Sequence, residues 1–383
     1  MRSIPNSGLL PAEEPAENRS AVIVQDQDPV VAFLSHAHSY GLTGPVEVLE
    51  THISRVFLVG DRAFKMKRAV KLPYVDFSTP QLRLATCEKE VRYNAPAAPG
   101  LYLGVKTIHR DANGSLQFGD GGTLVDAVVE MVRFDQALLA DRLALAGELT
   151  PALMSDITAM IVQFHAQAPV VHIAGGAENI EAVLSINEAG FATSHLFAAD
   201  AVGTLARRFR DALALHAARL DRREIAGKVR RCHGDLHLGN IALIDGAPVP
   251  FDAIEFDATI ATGDVLYDLA FAVMDLWERG LQRQANLLLN AYVAPGEAEA
   301  YDALAALPLF LSLRAAIRAK VEANAAGHMH GAAAASEFKS ARRYFDFALG
   351  FLKPEAPRLV AVGGLSGVGK SALAAALAPE FGR

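Results

Sequence analysis

The sequence predicts an α+β protein built from two lobes, a small strand-rich lobe followed by a larger helical one. Strand-like alternation of apolar residues begins near residue 46, whereas apolar residues repeat at helical spacing from residue 150 to about residue 352. A length of 383 residues is also large for a single hydrophobic core. The last residues add a strand, a glycine-rich loop and a helix, which predict the start of a separate α/β domain.

The same patterns divide the chain into four predicted segments. Residues 1–26 are rich in Pro, Glu, Ala, Asn and Ser and are predicted to form a disordered arm. Residues 27–130 make the small lobe and residues 131–352 make the helical lobe with its catalytic loop. Residues 353–383 contain only the beginning of the C-terminal domain.

Composition and charge narrow the class of protein. Apolar residues make up 51% and charged residues 21% of the chain, which is typical of a soluble globular protein. The net charge of −7 argues against a nucleic-acid-binding surface and is weakly compatible with a cationic small-molecule substrate. The apolar run Leu304–Leu313 is too short to span a membrane.

The chain also lacks the pattern of an exported protein. Its first twenty residues have neither the basic start nor the apolar run of a signal peptide. The two cysteines, Cys87 and Cys232, are too few and too far apart in sequence for a disulfide framework or a four-cysteine metal site. We therefore expect a reducing, cytoplasmic setting. The sequence does not indicate an oligomeric state.

A β-hairpin in the small lobe contains two lysines. Val56–Val59 and Ala63–Lys67 alternate like strands on either side of a Gly60-Asp61 turn. Alternation places Lys65 and Lys67 on the same face of the second strand. Such a lysine can hold the α and β phosphates of a nucleotide. A solvated basic face is the alternative, because further positive charges follow at positions 68 and 71.

A helix is predicted over Gln81–Asn94, between the hairpin and the next strand. It contains Glu88 and Glu90, and either glutamate could form an ion pair with one of the lysines. This lobe contains no GxGxxG loop, so contact with phosphates would depend on a less marked turn near His52–Arg55.

The stretch Arg231–Asn240 has the pattern expected of a phosphoryl-transfer site. Phosphoryl transfer requires a carboxylate that orients the attacking hydroxyl, an amide oxygen that binds a metal ion, and a second carboxylate that bridges this metal to the phosphates. Asp235 and Asn240 have the DxxxxN spacing of a kinase catalytic loop, and the run Phe251–Asp257 supplies further carboxylates. A polar turn after a strand is the alternative interpretation.

The residues after this stretch favour the catalytic interpretation. Ile241–Ile244 and Val249–Ile254 have strand-like patterns, and Asp245-Gly246 between them is a strong hairpin signal. On an unbroken strand, Asp252 and Glu255 would face opposite sides, so both could meet one metal ion only if the chain bends between them. Mg²⁺ accepts either carboxylate, so chemistry does not distinguish them.

A second nucleotide-binding motif lies near the C-terminus. The strand-like run Leu359–Val362 leads into a complete GxxxxGKS phosphate loop, and an Ala- and Leu-rich helix follows. The residues of this loop expected to contact phosphates are Gly364, Gly369, Lys370 and Ser371. Only twelve residues follow the loop, too few for the rest of a P-loop domain, so we predict a truncated domain that does not support turnover.

The His233-Gly234-Asp235 form of the catalytic loop resembles that of aminoglycoside phosphotransferases and related small-molecule kinases. The segment at residues 263–270, with the sequence GDVLYDLA, resembles the GDxxYDLA segment of the same family. Over residues 30–383, the whole arrangement is similar to bacterial bifunctional aminoglycoside phosphotransferase/ATP-binding proteins. The resemblance implies a bilobal, protein-kinase-like fold together with a fragment of an α/β P-loop domain.

The resemblance also implies roles for individual residues, with ATP and Mg²⁺ as cofactors. Asp235, with His233 beside it, would act in catalysis, and Asn240 would bind the metal ion. Asp252 follows Asn240 by twelve residues and Glu255 by fifteen, and the shorter separation is closer to the spacing in the family. An alternative alignment with the family's Ile-Asp-Trp favours Glu255, so both remain candidates.

In the small lobe, the resemblance favours Glu90 over Glu88 as the partner of the phosphate lysine. It does not distinguish Lys65 from Lys67. In the helical lobe, it implies that Asp268 braces the catalytic loop by accepting its backbone N–H groups. A carboxylate on an apolar helix needs such partners, so we predict a structural role for this residue.

Two functions are compatible with these observations. The first is an ATP- and Mg²⁺-dependent phosphotransferase that acts on a hydroxyl of a small molecule, which the Asp235 and Asn240 pair favours. The alternative is a catalytically silent nucleotide-binding regulatory or scaffold protein, which the missing glycine-rich loop and the ambiguous metal carboxylate favour. The sequence does not identify the acceptor.

Overall fold

The computed structural model describes residues 22–23, 25–51, 53–72, 75–172, 175–192, 194, 196–294, 298–327, 331–353 and 360–381. The strands are β1 Val22–Ile23, β2 Glu47–Glu50, β3 Ser54–Val59, β4 Arg62–Lys67, β5 Val70–Leu72, β6 Val75–Asp76, β7 Tyr102–Arg110, β8 Leu116–Phe118, β9 Thr123–Val132, β10 Val229–Arg231, β11 Ile241–Ile244, β12 Ala247–Pro250 and β13 Thr262–Asp264. The helices are α1 Asp28–Leu34, α2 Pro80–Asn94, α3 Ala140–Ala146, α4 Pro151–Gln167, α5 Gly176–Ala192, α6 Ala199–Ile225, α7 Val265–Glu278, α8 Gln282–Val293, α9 Ala298–Ala303, α10 Leu307–Gly327, α11 Gly331–Phe351 and α12 Lys370–Phe381.

The small lobe is built on an antiparallel six-stranded sheet with the strand order β2-β3-β4-β9-β7-β8. Strands β3 and β4 pair across the turn at residues 60–61, which confirms the predicted hairpin. Strand β4 alternates as expected. Phe64 and Met66 belong to an apolar cluster that includes α1, whereas Lys65 and Lys67 both contact Glu90 of α2 on the opposite face.

Helix α2 begins where the sequence provides a cap. Thr79 accepts a hydrogen bond from the Leu82 N–H through its hydroxyl oxygen, and Pro80 is the first helical residue. In its first turns, fully buried Arg83 donates to Asp126 of β9 at 2.8 Å. This ion pair ties α2 to the sheet and so fixes the position of the helix above β4.

Part of the predicted arm lies against this lobe. Residues 1–21 and residue 24 are outside the described part of the chain, whereas Val22–Ile23 form β1 and pair with β5. Gln27 is buried, and its amide donates to the Lys67 carbonyl at 3.0 Å and to Asp126 at 2.7 Å. Its side-chain oxygen accepts the Ala69 N–H. This segment therefore closes one end of the small lobe.

The helical lobe packs around α7, whose residues are almost all buried. Its core also contains apolar side chains of α4, α5, α6, α8, α10 and α11. Helix α4 starts at a capping residue, because Thr150 accepts the Leu153 N–H through its hydroxyl oxygen and Pro151 follows the cap. Three apolar residues of α4 at helical spacing are buried: Met154, Ile157 and Ile161. No helix among the described residues combines the length and the apolar content needed to cross a membrane.

The hairpin after the stretch Arg231–Asn240 differs from the prediction in its second strand. Strand β11 has the predicted bounds, but β12 ends at Pro250 and does not continue to Ile254. Asp252 has a φ of 62°, in the left-handed region, which turns the chain away from the strand direction. The prediction of one strand over Val249–Ile254 was therefore wrong, and the chain bends before it reaches Glu255.

The C-terminal segment also differs from the prediction. Leu359 lies outside the described residues, and residues 360–362 form no strand, so the start of an α/β P-loop domain is not evident. A strand needs a neighbour to complete its hydrogen bonds, and a single strand-like run does not provide one. The predicted helix after the glycine-rich loop is present as α12, which begins at Lys370.

Candidate active site

The loop that contains Asp235 is braced by α7. Pairing of β10 with β13 brings the start of α7 next to this loop. Asp268 is buried in the first turn of α7 and accepts the backbone N–H groups of His233 at 3.1 Å and Gly234 at 2.9 Å. Nε2 of His165 lies 3.1 Å from the same carboxylate. The bracing role predicted for Asp268 is confirmed by these bonds.

Two further residues hold the same loop, and sequence analysis missed both. Asp275, two turns after Asp268 on the same helix face, accepts the Leu238 N–H at 2.9 Å. Arg314 of α10 is buried and donates through Nη1 to the Gly234 carbonyl at 2.8 Å. The spacing of the two aspartates was the available signal for the first. The signal for the second was an arginine within an apolar helix, where a charge needs partners.

Asp235 and Asn240 lie side by side in the loop. Asn240 donates through Nδ2 to the Asp235 carbonyl at 2.9 Å and to Asp235 Oδ2 at 3.1 Å. A short 3-10 turn over Leu238–Asn240 completes the path between them. Because its amide donors point at Asp235, the Oδ1 oxygen of Asn240 is the atom that can bind a cation or accept a hydrogen bond.

His237 shapes the charge environment of Asp235. Nε2 of His237 lies 3.5 Å from Asp235 Oδ2, and Nδ1 accepts the Gly239 N–H at 3.0 Å. Burial alone would raise the pKa of the aspartate, but the nearby His237, Arg318 and His233 outweigh burial and hold this pKa below its usual value. Asp235 is therefore a carboxylate at neutral pH.

His233, which the sequence grouped with Asp235 as catalytic, lies in a buried position behind it. Its Nε2 donates to the Phe251 carbonyl at 2.9 Å, and its Nδ1 accepts the Asp235 N–H at 3.3 Å. Burial lowers the pKa of this histidine, which favours the neutral ring. The ring therefore joins the loop, which it contacts through Nδ1, to the segment after β12, which it contacts through Nε2. This arrangement fits a positioning role.

Five charged side chains from three parts of the chain form a buried network. Lys65 Nζ lies 2.9 Å from Glu90 Oε1 and also contacts Asp252. Lys67 Nζ lies 2.5 Å from Glu90 Oε2, in the geometry of an ion pair, and 2.5 Å from Glu255 Oε1. Both lysines of β4 therefore share the glutamate of α2, and each has a second carboxylate from the segment after β12.

Burial of this network excludes the alternative of a solvated basic strand face. The Lys67 side chain is 1% exposed and that of Lys65 is 11% exposed. Burial lowers the pKa of each lysine, but the neighbouring carboxylates outweigh it and raise both values. Burial raises the pKa of Glu90, yet the two lysines lower it to about 2. Glu88, the other candidate partner, is exposed.

The bend at Asp252 brings the candidate metal-binding carboxylates together. Carboxylate oxygens of Glu90, Asp252 and Glu255 lie within 4.8 Å of one another. The Asp252 side chain is 39% exposed, whereas that of Glu255 is 3% exposed and paired with Lys67. Burial raises the pKa of Glu255 despite this lysine. Asp252 is therefore the accessible carboxylate of the group.

Contacts from the small lobe hold the backbone around Asp252. Its N–H donates to the Tyr102 hydroxyl at 3.0 Å. The Asn94 side chain accepts the Ala253 N–H at 2.7 Å and donates to the Ala253 carbonyl at 3.3 Å. A left-handed backbone at a non-glycine residue costs about 1–3 kcal/mol and persists where its surroundings fix it. Neither Asn94 nor Tyr102 stood in a motif, so sequence analysis missed both.

The turn near His52–Arg55, which the sequence suggested for phosphate contact, joins β2 and β3. His52 lies outside the described residues. Thr51 accepts the Ser54 N–H through Oγ1 at 3.0 Å, which closes the turn. Arg55 pairs with Glu50 at 3.2 Å, so its guanidinium already has an anionic partner within the small lobe.

Among the described residues, the side chains of the C-terminal motif make no hydrogen bond or ion pair with this site. Lys370 donates through Nζ to the Leu365 carbonyl at 2.5 Å, within its own loop. Gly364 and Gly369 have positive φ angles, and Ser371 is exposed. Within the described residues, the hydrogen bonds of this motif lie within its own loop and α12.

The comparison with curated proteins identifies mycobacterial relatives. The chain is 29% identical over 345 residues to an uncharacterized protein of Mycobacterium bovis (strain ATCC BAA-935 / AF2122/97) and, with the same figures, to one of Mycobacterium tuberculosis (strain ATCC 25618 / H37Rv). The matched region covers 88% of this chain and 66% of each relative, so the chain spans about two thirds of their length. No family model matches the chain.

The comparison with solved structures identifies the fold. The GDP and kanamycin complex of APH(2")-IIia superposes with a TM-score of 0.51 and 12% identity, covering 83% of this chain and 98% of that one. Choline kinase from Cryptosporidium parvum Iowa II has a TM-score of 0.50 and 10% identity, covering 84% of this chain and 94% of that one. The chain therefore has the bilobal, protein-kinase-like fold of aminoglycoside phosphotransferases and choline kinases, which confirms the predicted fold for its two lobes.

Proposed function

We propose that the protein is an ATP- and Mg²⁺-dependent phosphotransferase that acts on a hydroxyl of a small molecule. The observation that carries this proposal is the braced loop in which Asn240 binds both the backbone and the carboxylate of Asp235. The fold alone would not be sufficient, because one fold can host unrelated functions. An ionised, partly exposed aspartate supported by buried side chains favours an enzyme over a silent nucleotide-binding protein.

Asp235 is the proposed catalytic residue. Its carboxylate would accept a hydrogen bond from the acceptor hydroxyl and align the oxygen with the γ-phosphorus atom of ATP. As the new bond to phosphorus forms, ADP leaves and the hydroxyl proton passes to the carboxylate. With its lowered pKa, the aspartate is a weak base, so orientation of the hydroxyl is its larger contribution. His233 is proposed to position this loop without touching the substrate.

The oxygen donors of the site suit Mg²⁺. Asn240 Oδ1 and the Asp252 carboxylate are hard oxygen ligands, and Asp252 is the exposed member of a group of three carboxylates. We assign these two residues to the metal ion and assign Glu255 to Lys67. When bound, Mg²⁺ would neutralise charge on the phosphates.

Lys65 is the proposed phosphate lysine, because it is the more exposed of the two lysines and lies between Glu90 and Asp252. A pocket for the base is proposed beside it, where half-buried apolar side chains of both lobes pack against one core cluster. These side chains are Val56, Val132, Phe134, Ile244 and Phe251. Apolar walls of this kind are typical of sites for flat aromatic ligands.

A charged cluster beside Asp235 favours one class of acceptor. Arg318 lies near Asp235 and pairs with Glu322 at 2.8 Å. The second oxygen of Glu322 and one oxygen of Asp141 are buried without a hydrogen-bond partner among the described residues. These two carboxylates add negative charge around the partly exposed Asp235 carboxylate, and negative charge attracts an ammonium group. We therefore propose an acceptor that carries an amine as well as a hydroxyl.

An acceptor screen tests the proposal. The screen follows ATP consumption and phosphorylated product together, with and without Mg²⁺, and compares ATP with GTP. Amine-bearing alcohols are compared with neutral polyols of similar size. We expect product that depends on both Mg²⁺ and the acceptor, with amines preferred. Nucleotide binding without product across the whole panel would support the silent nucleotide-binding alternative.

Asp252→Asn is expected to weaken Mg²⁺ binding without unfolding the protein. Asn tolerates a left-handed backbone at least as well as Asp, so the bend should be kept. Loss of the ligating charge should raise the Mg²⁺ concentration needed for half-maximal transfer by about tenfold or more. The transfer rate measured against Mg²⁺ concentration checks this.

Asp245→Asn is the matched control, because Asp245 also has a positive φ but lies in the exposed β11–β12 turn. An unchanged requirement for Mg²⁺ would contradict the assignment.

Lys370→Ala is expected to leave the transfer rate unchanged. Lys370 bonds within its own loop and has no described link to Asp235. The measurement is the transfer rate of this variant beside its rate of acceptor-independent ATP hydrolysis. Hydrolysis that is lost in Lys370→Ala but kept in Asp235→Ala would show instead that the C-terminal loop supports turnover on its own.

A further inference from the structure

The network around Glu90 contains one more ion pair than a phosphate lysine requires. Lys67 and Glu255 lie 2.5 Å apart, and their side chains are 1% and 3% exposed. They come from opposite lobes, one from β4 and the other from the segment after β12. A buried ion pair adds little stability compared with apolar side chains of the same volume, so stability alone does not account for it.

The network has an outer half, Lys65 with Asp252, and an inner half, Lys67 with Glu255. The two halves differ in their access to ligands. In the outer half, Lys65 contacts Asp252, whose side chain is 39% exposed. A metal–nucleotide complex can therefore compete for this contact, offering a cation to the aspartate and phosphate oxygens to the lysine. In the inner half, Lys67 and Glu255 are both buried, so no ligand can compete for their contact.

The charges of the network indicate a role for the inner half, Lys67 with Glu255. Three carboxylates and two ammonium groups lie together, and each lysine contacts one oxygen of Glu90. If Lys67 were missing, Lys65 would be the one cation left in the network for two buried glutamates, and they would retain it. With Lys67 present, Glu90 keeps a cation when Lys65 changes partner.

We propose that Lys67 and Glu255 are a positioning pair: Lys67, anchored by Glu255, holds Glu90 in place while Lys65 exchanges Asp252 for phosphate oxygens. The inference rests on the proposed function, because it assumes that Lys65 binds the nucleotide. It adds a second lysine and a second acid to the residues on which nucleotide affinity depends. Neither of the two touches the phosphates.

Unfolding by urea without nucleotide is the first test. Lys67→Met leaves Glu255 buried without its cation, so it should lower the unfolding midpoint more than Lys65→Met, which leaves an exposed aspartate. Adding Glu255→Gln to Lys67→Met should recover most of the loss, because the unpaired buried charge is then removed. If Lys65→Met were the less stable of the two single variants, the proposed division of roles would be overturned.

Calorimetric titration with ATP and Mg²⁺ is the second test. The double variant Lys67→Met/Glu255→Gln keeps the net charge of the network but leaves Glu90 with Lys65 alone. We expect it to fold and to bind ATP about tenfold more weakly, or worse. Arg210→Met/Glu188→Gln, which removes an exposed ion pair of the helical lobe and likewise keeps the net charge, is the control and should leave ATP affinity unchanged. Wild-type affinity in the Lys67→Met/Glu255→Gln variant would overturn the proposal.

These results separate the positioning pair from the proposed function. If the wild-type protein binds ATP and phosphorylates no acceptor, the proposed function fails, while weaker binding by the double variant still supports the pair. If the wild-type protein transfers phosphate and the double variant binds ATP normally, the pair alone fails. If the wild-type protein binds no ATP, both are overturned.

Discussion

Asp235→Asn is expected to reduce the rate of phosphoryl transfer by about 10²–10⁴-fold while ATP binding is retained. Asn has nearly the same shape, and its side-chain oxygen can still accept the bond from Asn240 Nδ2, so the loop should keep its conformation. It lacks the negative charge that we propose to orient the acceptor hydroxyl and to take up its proton. Product formation under saturating substrates, together with ATP affinity from calorimetry, checks both parts of the expectation.

The control for this variant is again Asp245→Asn, which makes the same chemical change in an exposed turn of the neighbouring hairpin. It should retain the wild-type rate. Wild-type transfer by Asp235→Asn would remove this residue from the mechanism. A large loss of ATP affinity would instead mean that the substitution disturbs the nucleotide site, and the role assigned to Asp235 would have to be withdrawn.

Asp268→Ala is expected to lower the free energy of unfolding by about 3–5 kcal/mol, because it leaves buried partners without their anion. The backbone N–H groups of His233 and Gly234 would lose their acceptor, and Arg314 would lose a carboxylate 3.5 Å away. Urea unfolding at neutral pH measures the difference. Asp211→Ala on the exposed face of α6 is the matched control and should change stability by less than about 0.5 kcal/mol.

The effect of Asp268→Ala should depend on pH in a defined direction. Burial raises the pKa of this carboxyl, but His165, Arg314 and His233 outweigh burial, so the net pKa in the folded protein is lowered. A lowered folded-state pKa contributes stability that is present above the unfolded value, about 3.9, and is lost as pH falls toward the folded value. The difference between wild type and variant should therefore shrink below about pH 4. A difference that grows on acidification would contradict this account.

The conformation of the loop that contains Asp235 could be predicted from the sequence because its parts are close together along the chain. Asp235 and Asn240 are five residues apart, and a local 3-10 turn brings them into contact. Predicting the contact between Glu90 and the lysines required only the alternation of side chains along one strand and the position of one helix. Local contacts of this kind follow from regular periodicity, which can be recognised within a short stretch of sequence.

The remaining features depend on contacts between distant parts of the chain. The strand pattern of Val249–Ile254 was overridden at Asp252, where Tyr102 and Asn94 of the other lobe hold a left-handed backbone. Strand propensity is easily overridden by such surroundings. The choice between Lys65 and Lys67 likewise depends on which lysine is more deeply buried, and sequence alternation places both on the same face.

The bonds of Asn94 to Ala253, of Tyr102 to Asp252 and of Lys67 to Glu255 join the small lobe to the segment after β12. We therefore expect the two lobes to depend on each other for stability. A chain cut between the lobes would leave a lysine without its anion on one side and an unsupported bend on the other. The two lobes should thus melt in one cooperative transition. A nucleotide should enter past the exposed Asp252 side chain, without a wide separation of the lobes.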